Sequence, residues 1–390
     1  MQKKKMIIFI FGLIGLLIVI VIEVMTRRRR RRAHQQDSDL FNRRAMNIPK
    51  TETIFVALPM YRPTEPVRVI DSIFRNAYCP QRITVGIIEH NVVDMPHAAD
   101  VYYNAQQAQS VAPFSHKIRY ERASNDTIYG ASIARQLTVD KFYHGEHYIL
   151  FLSQDVTLLR NWDKTLIESL HRAHSLGGHV ISQFACPAST LTDLPTTFPV
   201  FYKFTNKNIP LFKGRFITSD FSQPFRIALA TFQCLFGSAA VIIADLALHN
   251  PGLPFLRKSA SDLLLSAELW VQGYHVFAPK RSVIVTADRD SFLSWRDVQN
   301  KKLKNFTNNV VYAILFDEQL QATPLYLEKL QRRQQRSVSE FLHWLGIDPK
   351  GRHISGKTMM GLLPNNTKIE IVHKFGSLQK FEHYKNKLTY

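Results

Sequence analysis

An apolar run from Tyr148 to Leu152 stops at Ser153-Gln154-Asp155, resumes as Val156 to Leu159, and closes on Trp162 and Asp163. A run of that length without a helical period predicts a buried strand of an α/β sheet. Ligands of such sheets sit at the carboxyl ends of strands, so an acid there is placed to hold a cation or a ribose. Asp155 is that acid. A carboxylate offers hard oxygen ligands, which suit a hard divalent cation.

The elements that must present this tip lie on both sides of it. Ile54–Leu58 reads as a strand, Pro59–Pro66 as a loop, Val67–Ala77 as a helix and Ile83–Ile88 as a second strand. Strand, helix and strand at this spacing form a βαβ unit, hence parallel pairing and a Rossmann-like sheet. Ile128–Phe142 predicts a helix leading into Tyr148–Leu152, and Asp163–Ser175 a helix leaving it, with Asp163 as its cap and Trp162 as core. Val180–Phe184 and Gly237–Ile243 read as strands and Ser261–Gln272 as a helix. The Pro-, Thr- and Phe-rich stretch 186–232 reads as inserted loops, a candidate binding surface. Beyond Pro349 the pattern is of loops, with a short strand at Ile369–Val372.

Composition bounds the function. The chain has 390 residues, 45% hydrophobic and 21% charged, which excludes disorder of the whole. Its net charge of +19 sits at the ends. Residues 1–50 hold 12 Lys or Arg against 3 acids and 299–390 hold 15 against 7, while 51–298 hold 23 against 21. A nucleic-acid-binding domain carries its basic patch on the folded body, so no nucleic-acid partner is expected. Cys79, Cys186 and Cys234 show no metal-ligand spacing; a Cys186–Cys234 disulfide and three buried thiols are both compatible with them.

Met6 to Met25 is apolar but for Glu23 near its end, and matches the length of a membrane span. With no small-residue cleavage site after it, it reads as an uncleaved signal anchor, a single N-terminal span followed by an arginine-rich stem over 26–50. Orientation stays open. Arg27–Arg32 outweigh Lys3–Lys5, which favours a cytosolic body. Asn125, Asn305 and Asn365 are sequons for luminal glycans. The arginine run also suits a protease-processing site.

Five segments, in order, resemble the polypeptide α-N-acetylglucosaminyltransferases, GT-A enzymes that move GlcNAc from UDP-GlcNAc onto protein hydroxyls. The first is Ile54-Phe55-Val56-Ala57 with Tyr61-Arg62 and Ile83–Ile87; the second is Gly130 with Ala134-Arg135. The third, Glu146–Asp163, aligns without a gap with the family's block around its Asp-x-His pair. The fourth is Ser261–Pro279, and the last runs from Arg336-Ser337-Val338 through Phe341 to Gly346-Ile347-Asp348. The likeness covers Thr53 to Asp348. It implies a GT-A, Rossmann-like nucleotide-sugar domain over 51–348 behind the anchor, with a basic extension over 349–390.

The resemblance also implies roles. Arg62 and Arg135 occupy positions that suit the diphosphate or uracil of a donor, because a guanidinium is a rigid donor fork for phosphate. Asp155 takes the place of the second metal-chelating residue, and Ser153 that of the first. Asp262 is the candidate catalytic residue, touching sugar or acceptor hydroxyls; an N-cap role for the helix after it is the alternative. Thr286 stands where a third metal ligand, a histidine, is expected, and Asp288 two residues on is placed to serve instead. His249 and His275 could also approach the donor, but an isolated histidine on a partly apolar segment is more often structural, and neither is assigned a role.

The implied function is retaining transfer of a sugar from a UDP-sugar to protein hydroxyls, assisted by Mn²⁺ or Mg²⁺ at Asp155 and Asp288. The partners are the UDP-sugar, a protein or peptide acceptor, and the membrane, with the catalytic domain in the Golgi or ER lumen. The altered acidic set leaves a second expectation, a relative that binds sugar or protein without transfer. A polybasic membrane or nucleic-acid adaptor is a third, resting only on the charged ends.

Overall fold

The computed structural model describes residues 52–63, 65–91, 95–109, 114–123, 131–187, 196–204, 210–217, 224–227, 229–245, 258–286, 335–348 and 353–354. Met6–Met25, Arg27–Arg32, the three sequons, Asp288, His249 and Ile369–Val372 lie outside the described residues. Among those described, no helix is long and apolar enough to cross a membrane. The chain divides into two compact units, residues 50–102 with 118–390, and residues 1–49 with 103–117. Of the second unit the described part holds the end of a helix and a 3₁₀ turn at Ser115–Lys117.

The larger unit is built on a mixed sheet. Strands β1 (Ile54–Ala57), β3 (Ile83–His90), β4 (Ile118–Arg122) and β5 (Tyr148–Leu152) run parallel, with β1 between β3 and β5 and β4 outside β3. Strand β12 (Cys234–Ser238) lies antiparallel between β5 and β7 (Val180–Ser182). Next to β7 come β13 (Val276–Ala278), parallel, and β11 (Phe225–Ile227), antiparallel at the end of the order. Thus β5, β7, β13, β1 and β3 share one direction and one carboxyl edge.

Burial of both sheet faces explains the unbroken apolar runs that mark these strands. Every residue of β1 and β3 is buried, and Phe55, Phe151, Leu235 and Ile242 belong to one core cluster. Gly86 is where the Phe55 ring crosses β3. A Cβ there would stand 2.5 Å from Phe55 Cζ, so a larger residue would displace the ring.

Helices α1 (Pro66–Arg75), α2 (Ala98–Ala108), α3 (Ala131–Phe142) and α4 (Trp162–His174) alternate with the parallel strands, as the βαβ reading requires. Three expectations are corrected. The loop after β1 contains a short strand, β2 (Met60–Tyr61), paired with the end of β3. The stretch 186–232 is not loop alone; it contains an antiparallel hairpin of β9 (Thr196–Phe204) and β10 (Pro210–Ile217). The strand expected at Gly237–Ile243 lies earlier, at β12, and Ala239–Asp245 is helix α5. An apolar run carries no period to separate strand from helix, so pairing with β5 and β7 decided it.

A second small sheet stands at the carboxyl edge. Strand β14 (Ile284–Thr286) lies between β6 (Val156–Leu158) and β8 (Cys186–Pro187). Helix α6 (Lys258–Val271) packs on the main sheet through Leu265 and Leu269, and α7 (Val338–Leu345) packs on α6, followed by β15 (Ile347–Asp348) and β16 (His353–Ile354). Cys79 and Cys234 are free and buried, which excludes the Cys186–Cys234 pairing, and burial pushes the Cys234 thiol up to about 12.

Candidate active site

Asp155 stands in the turn between β5, at the centre of the main sheet, and β6 of the small one. The Ser153 amide donates to the Gln233 carbonyl at 3.2 Å and the Val156 amide to the Ser153 carbonyl at 3.4 Å, closing the turn. The Thr286 hydroxyl donates to the Asp155 carbonyl at 3.2 Å. Thr286, at the position where a third metal ligand was expected, therefore braces the tip. Asp155 itself is half-buried, with one carboxylate oxygen shielded from solvent.

Gln154 is the tip's anchor, and sequence reading passed over it. Its Oε1 accepts from the Tyr61 amide at 2.6 Å and its Nε2 donates to the Tyr61 carbonyl at 2.9 Å. The side-chain amide thus imitates one rung of a strand ladder and fastens β2 to the tip. Arg62 follows at once, exposed, at φ 41°, its amide donating to the His90 carbonyl at 2.9 Å. The guanidinium lies 5.4 Å from the Tyr61 ring centroid. A non-glycine residue at positive φ is uncommon, and here the clamp on its neighbour holds it.

Arg135 and Asp262 gather around the segment that leads into β12. The Arg135 guanidinium lies 3.8 Å from the Phe232 ring centroid. Burial holds its pKa down at about 10, and the Asp262 carboxylate pulls the other way. Asp262 is 1% exposed and accepts from the Thr231 hydroxyl at 3.1 Å and the Phe232 amide at 2.9 Å. It is not an N-cap, because α6 begins four residues earlier, at Lys258. Its carboxylate sets the 231–232 backbone, and Gln233, the next residue, receives the Ser153 amide.

The fold therefore brings Arg62, Ser153 and Asp155 together at one strand end and joins Arg135 and Asp262 to them through residues 231–233. His275 stands before β13, on the opposite, amino edge of the sheet. Asp163 is structural, as expected, but not as a cap: Asn161 holds that place. Its fully buried carboxylate accepts from the Tyr78 and Cys79 amides at 2.6 and 3.0 Å and pairs with Arg82 at 2.7 Å. Glu89 was also missed. Buried at the end of β3, it accepts from the Ala98 amide at 2.7 Å and the Asn91 side chain at 2.9 Å, capping α2. Its signal was a polar Glu-His-Asn run closing an apolar strand.

Among the described residues, no group of three or more His, Cys, Asp or Glu side chains could hold a metal ion. A closed protein cage is thus absent from them. Asp155, two residues on from Ser153 in the same turn, fits a hard divalent cation of another kind, one that keeps waters and binds one or two carboxylates plus substrate phosphates.

A family model described as Glycosyltransferase (GlcNAc) matches residues 97–350. The crystal structure of GalNAc-T7 with UDP, GalNAc and Mn²⁺ is similar in fold at a TM-score of 0.53 and 14% identity. That match covers 75% of this chain and 57% of the other, so the chain spans little more than half its length. No curated protein matches. A sheet of this order, an acidic turn at its central carboxyl edge and a family model spanning well over half the chain place this protein in the GlcNAc glycosyltransferase family, with a GT-A fold.

Proposed function

We propose that this glycosyltransferase moves a sugar, GlcNAc from UDP-GlcNAc, to hydroxyl groups of protein acceptors with retention at the anomeric carbon. The observation that carries the reading is Asp155 on a braced turn at the carboxyl edge, with Arg62 clamped beside it through Gln154 and Tyr61. A divalent cation bound there would offset the charge that grows on the leaving diphosphate. The chain's own residues do the rest. Asp155 supplies the carboxylate and Ser153 the adjacent hydroxyl that would hold Mn²⁺ or Mg²⁺, with Asp288 a further ligand. Arg62 and Arg135 offer donor forks to the diphosphate or base. Asp262, the candidate for the sugar hydroxyls, serves through the Thr231–Phe232 backbone that it holds, which makes it a positioning residue. Transfer without a nucleophile on the enzyme is chiefly a matter of holding the acceptor hydroxyl at the anomeric carbon. The span at Met6–Met25 would anchor the protein in the Golgi with this domain in the lumen.

The test is donor hydrolysis by the full chain across UDP-sugars with Mn²⁺, which needs no acceptor. UDP-GlcNAc is expected to be cleaved fastest, and Asp155→Ala to lower the rate roughly 10²–10³-fold, the equivalent of several kcal/mol of charge stabilisation. Cleavage of none of them would turn the assignment toward a relative that binds without transfer.

A further inference from the structure

On the amino edge of the sheet, opposite Asp155, two arginines and two histidines gather with no ion pair to a carboxylate among the described residues. His179 and His275 stand just before β7 and β13. Trp270 of α6 stacks on Trp344 of α7 with centroids 4.7 Å apart and 25° between planes. The Arg336 guanidinium lies 4.6 Å from the Trp270 centroid, and that of Arg226, on the end strand β11, 4.9 Å from the Trp344 centroid. Arg336 Nη1 and Nη2 are also 3.4 and 3.2 Å from His275 Nδ1 and Nε2. A neutral imidazole has a single acceptor nitrogen, so both contacts together mean that the guanidinium lies along the ring and is not donating a fork to it. The His179 ring sits 4.9 Å from Tyr274 and 6.0 Å from His174.

The arrangement is built in detail. Gly273, at φ 83°, ends α6 with its own amide on the Trp270 carbonyl and the Tyr274 amide on the Leu269 carbonyl. Its carbonyl accepts from Arg336 Nη2 at 3.2 Å. A Cβ at Gly273 would meet only the movable end of the Gln335 side chain, so it is the left-handed backbone of this turn that calls for glycine. Yet no described carboxylate forms an ion pair with Arg226 or Arg336. Glu340 feels Arg336, but its carboxylate is engaged in the capping box with Ser337. Both arginines and both histidines are half-buried. Burial and then mutual repulsion depress His275 to about 4, through Arg226, Arg336 and His179, and lower Arg226 through Arg336. Among the described residues these like charges, brought out of water, are held by aromatic faces and by the Gly273 carbonyl, which offset only part of the penalty.

The geometry points to an anion site formed by Arg226, Arg336, His179 and His275, selective for a phosphate group, either inorganic phosphate or a phosphomonoester. Two guanidiniums supply forks matched to tetrahedral oxygens, and two neutral imidazoles supply further N–H donors. No hydrogen bond joins the Arg226 guanidinium, which carries five donors, to a described residue. The site is separate from the donor site and its occupancy does not require transfer.

Binding is measured by calorimetry on the full chain, at fixed ionic strength and with saturating UDP to block the donor site. Inorganic phosphate and phosphoserine are titrated separately, with chloride as the reference. Saturable binding of either phosphate probe is expected, and which one binds tells free phosphate from a phosphomonoester. Arg226→Gln is expected to weaken it at least tenfold. Arg226→Lys, which keeps the charge and loses the fork, should fall between. An equal response to chloride, no saturation with either probe, or unchanged affinity in both variants would overturn the site.

Discussion

At the residue scale, the active edge depends on side chains that support chemistry without performing it. Gln154 is the clearest. Replacing it with alanine leaves the amide and carbonyl of Tyr61, a residue 1% exposed, without their partners. A buried backbone pair so orphaned costs roughly 1–3 kcal/mol. Gln154→Ala should therefore lower stability by about that amount and raise the KM for UDP-sugar, because Arg62 loses its fixed neighbour; steady-state kinetics and chemical denaturation measure both. Asp262→Asn keeps an acceptor for the Phe232 amide and removes the charge facing Arg135. The expected outcome is a modest loss of stability, roughly 1 kcal/mol, with a larger loss in kcat/KM than in melting temperature. A fall in melting temperature with unaltered kinetics would separate Asp262 from the site. The place of Asp155 at a strand end was legible because an acid at the end of an apolar run is a local pattern. The roles of Gln154 and Asp262 were not, since their partners lie 93 and about 30 residues away.

At the scale of elements, the parallel strands and the helices between them follow from short apolar runs and helical spacing. What joins them is less visible. Asp163, fully buried in the first turn of α4, ties that helix to the 78–82 segment through two amides and Arg82. Removing one partner of a buried pair leaves the other charge uncompensated, roughly 3–5 kcal/mol. Asp163→Ala should lower unfolding free energy by about that much, and Asp163→Asn, which keeps part of the hydrogen bonding, by less; guanidinium denaturation compares them. Because α4 follows directly from β6, the same loss should loosen the tip.

At the scale of the whole molecule, the sheet separates two electrostatic environments. The carboxyl edge gathers Asp155, Asp262 and Arg135, and the amino edge gathers Arg226, Arg336, His179 and His275. The second has a measurable consequence. His275 titrates near 4 in the folded chain against an ordinary 6.5, so between those values the unfolded chain binds the proton and the folded chain does not. Stability that His275 leaves intact above about pH 6.5 is lost progressively as pH falls toward 4. Arg226, Arg336 and His179 press on the ring, with Tyr274 and His174 next to His179. His275→Gln should flatten the melting temperature against pH over this window relative to the unaltered protein, while carboxylate contributions stay common to both.

By itself the sequence determined the parallel βαβ core, the strand that carries Asp155 and the family likeness, because each rests on short-range pattern and on order along the chain. The tertiary structure decided the rest. It turned Asp163 from a cap into a buried clamp, put a hairpin into the 186–232 stretch, split Gly237–Ile243 between strand and helix, and made Asp262 a brace for Phe232. Each of these depends on which distant backbone a side chain or strand meets, and a hydrogen bond across the fold leaves no mark on the neighbouring residues.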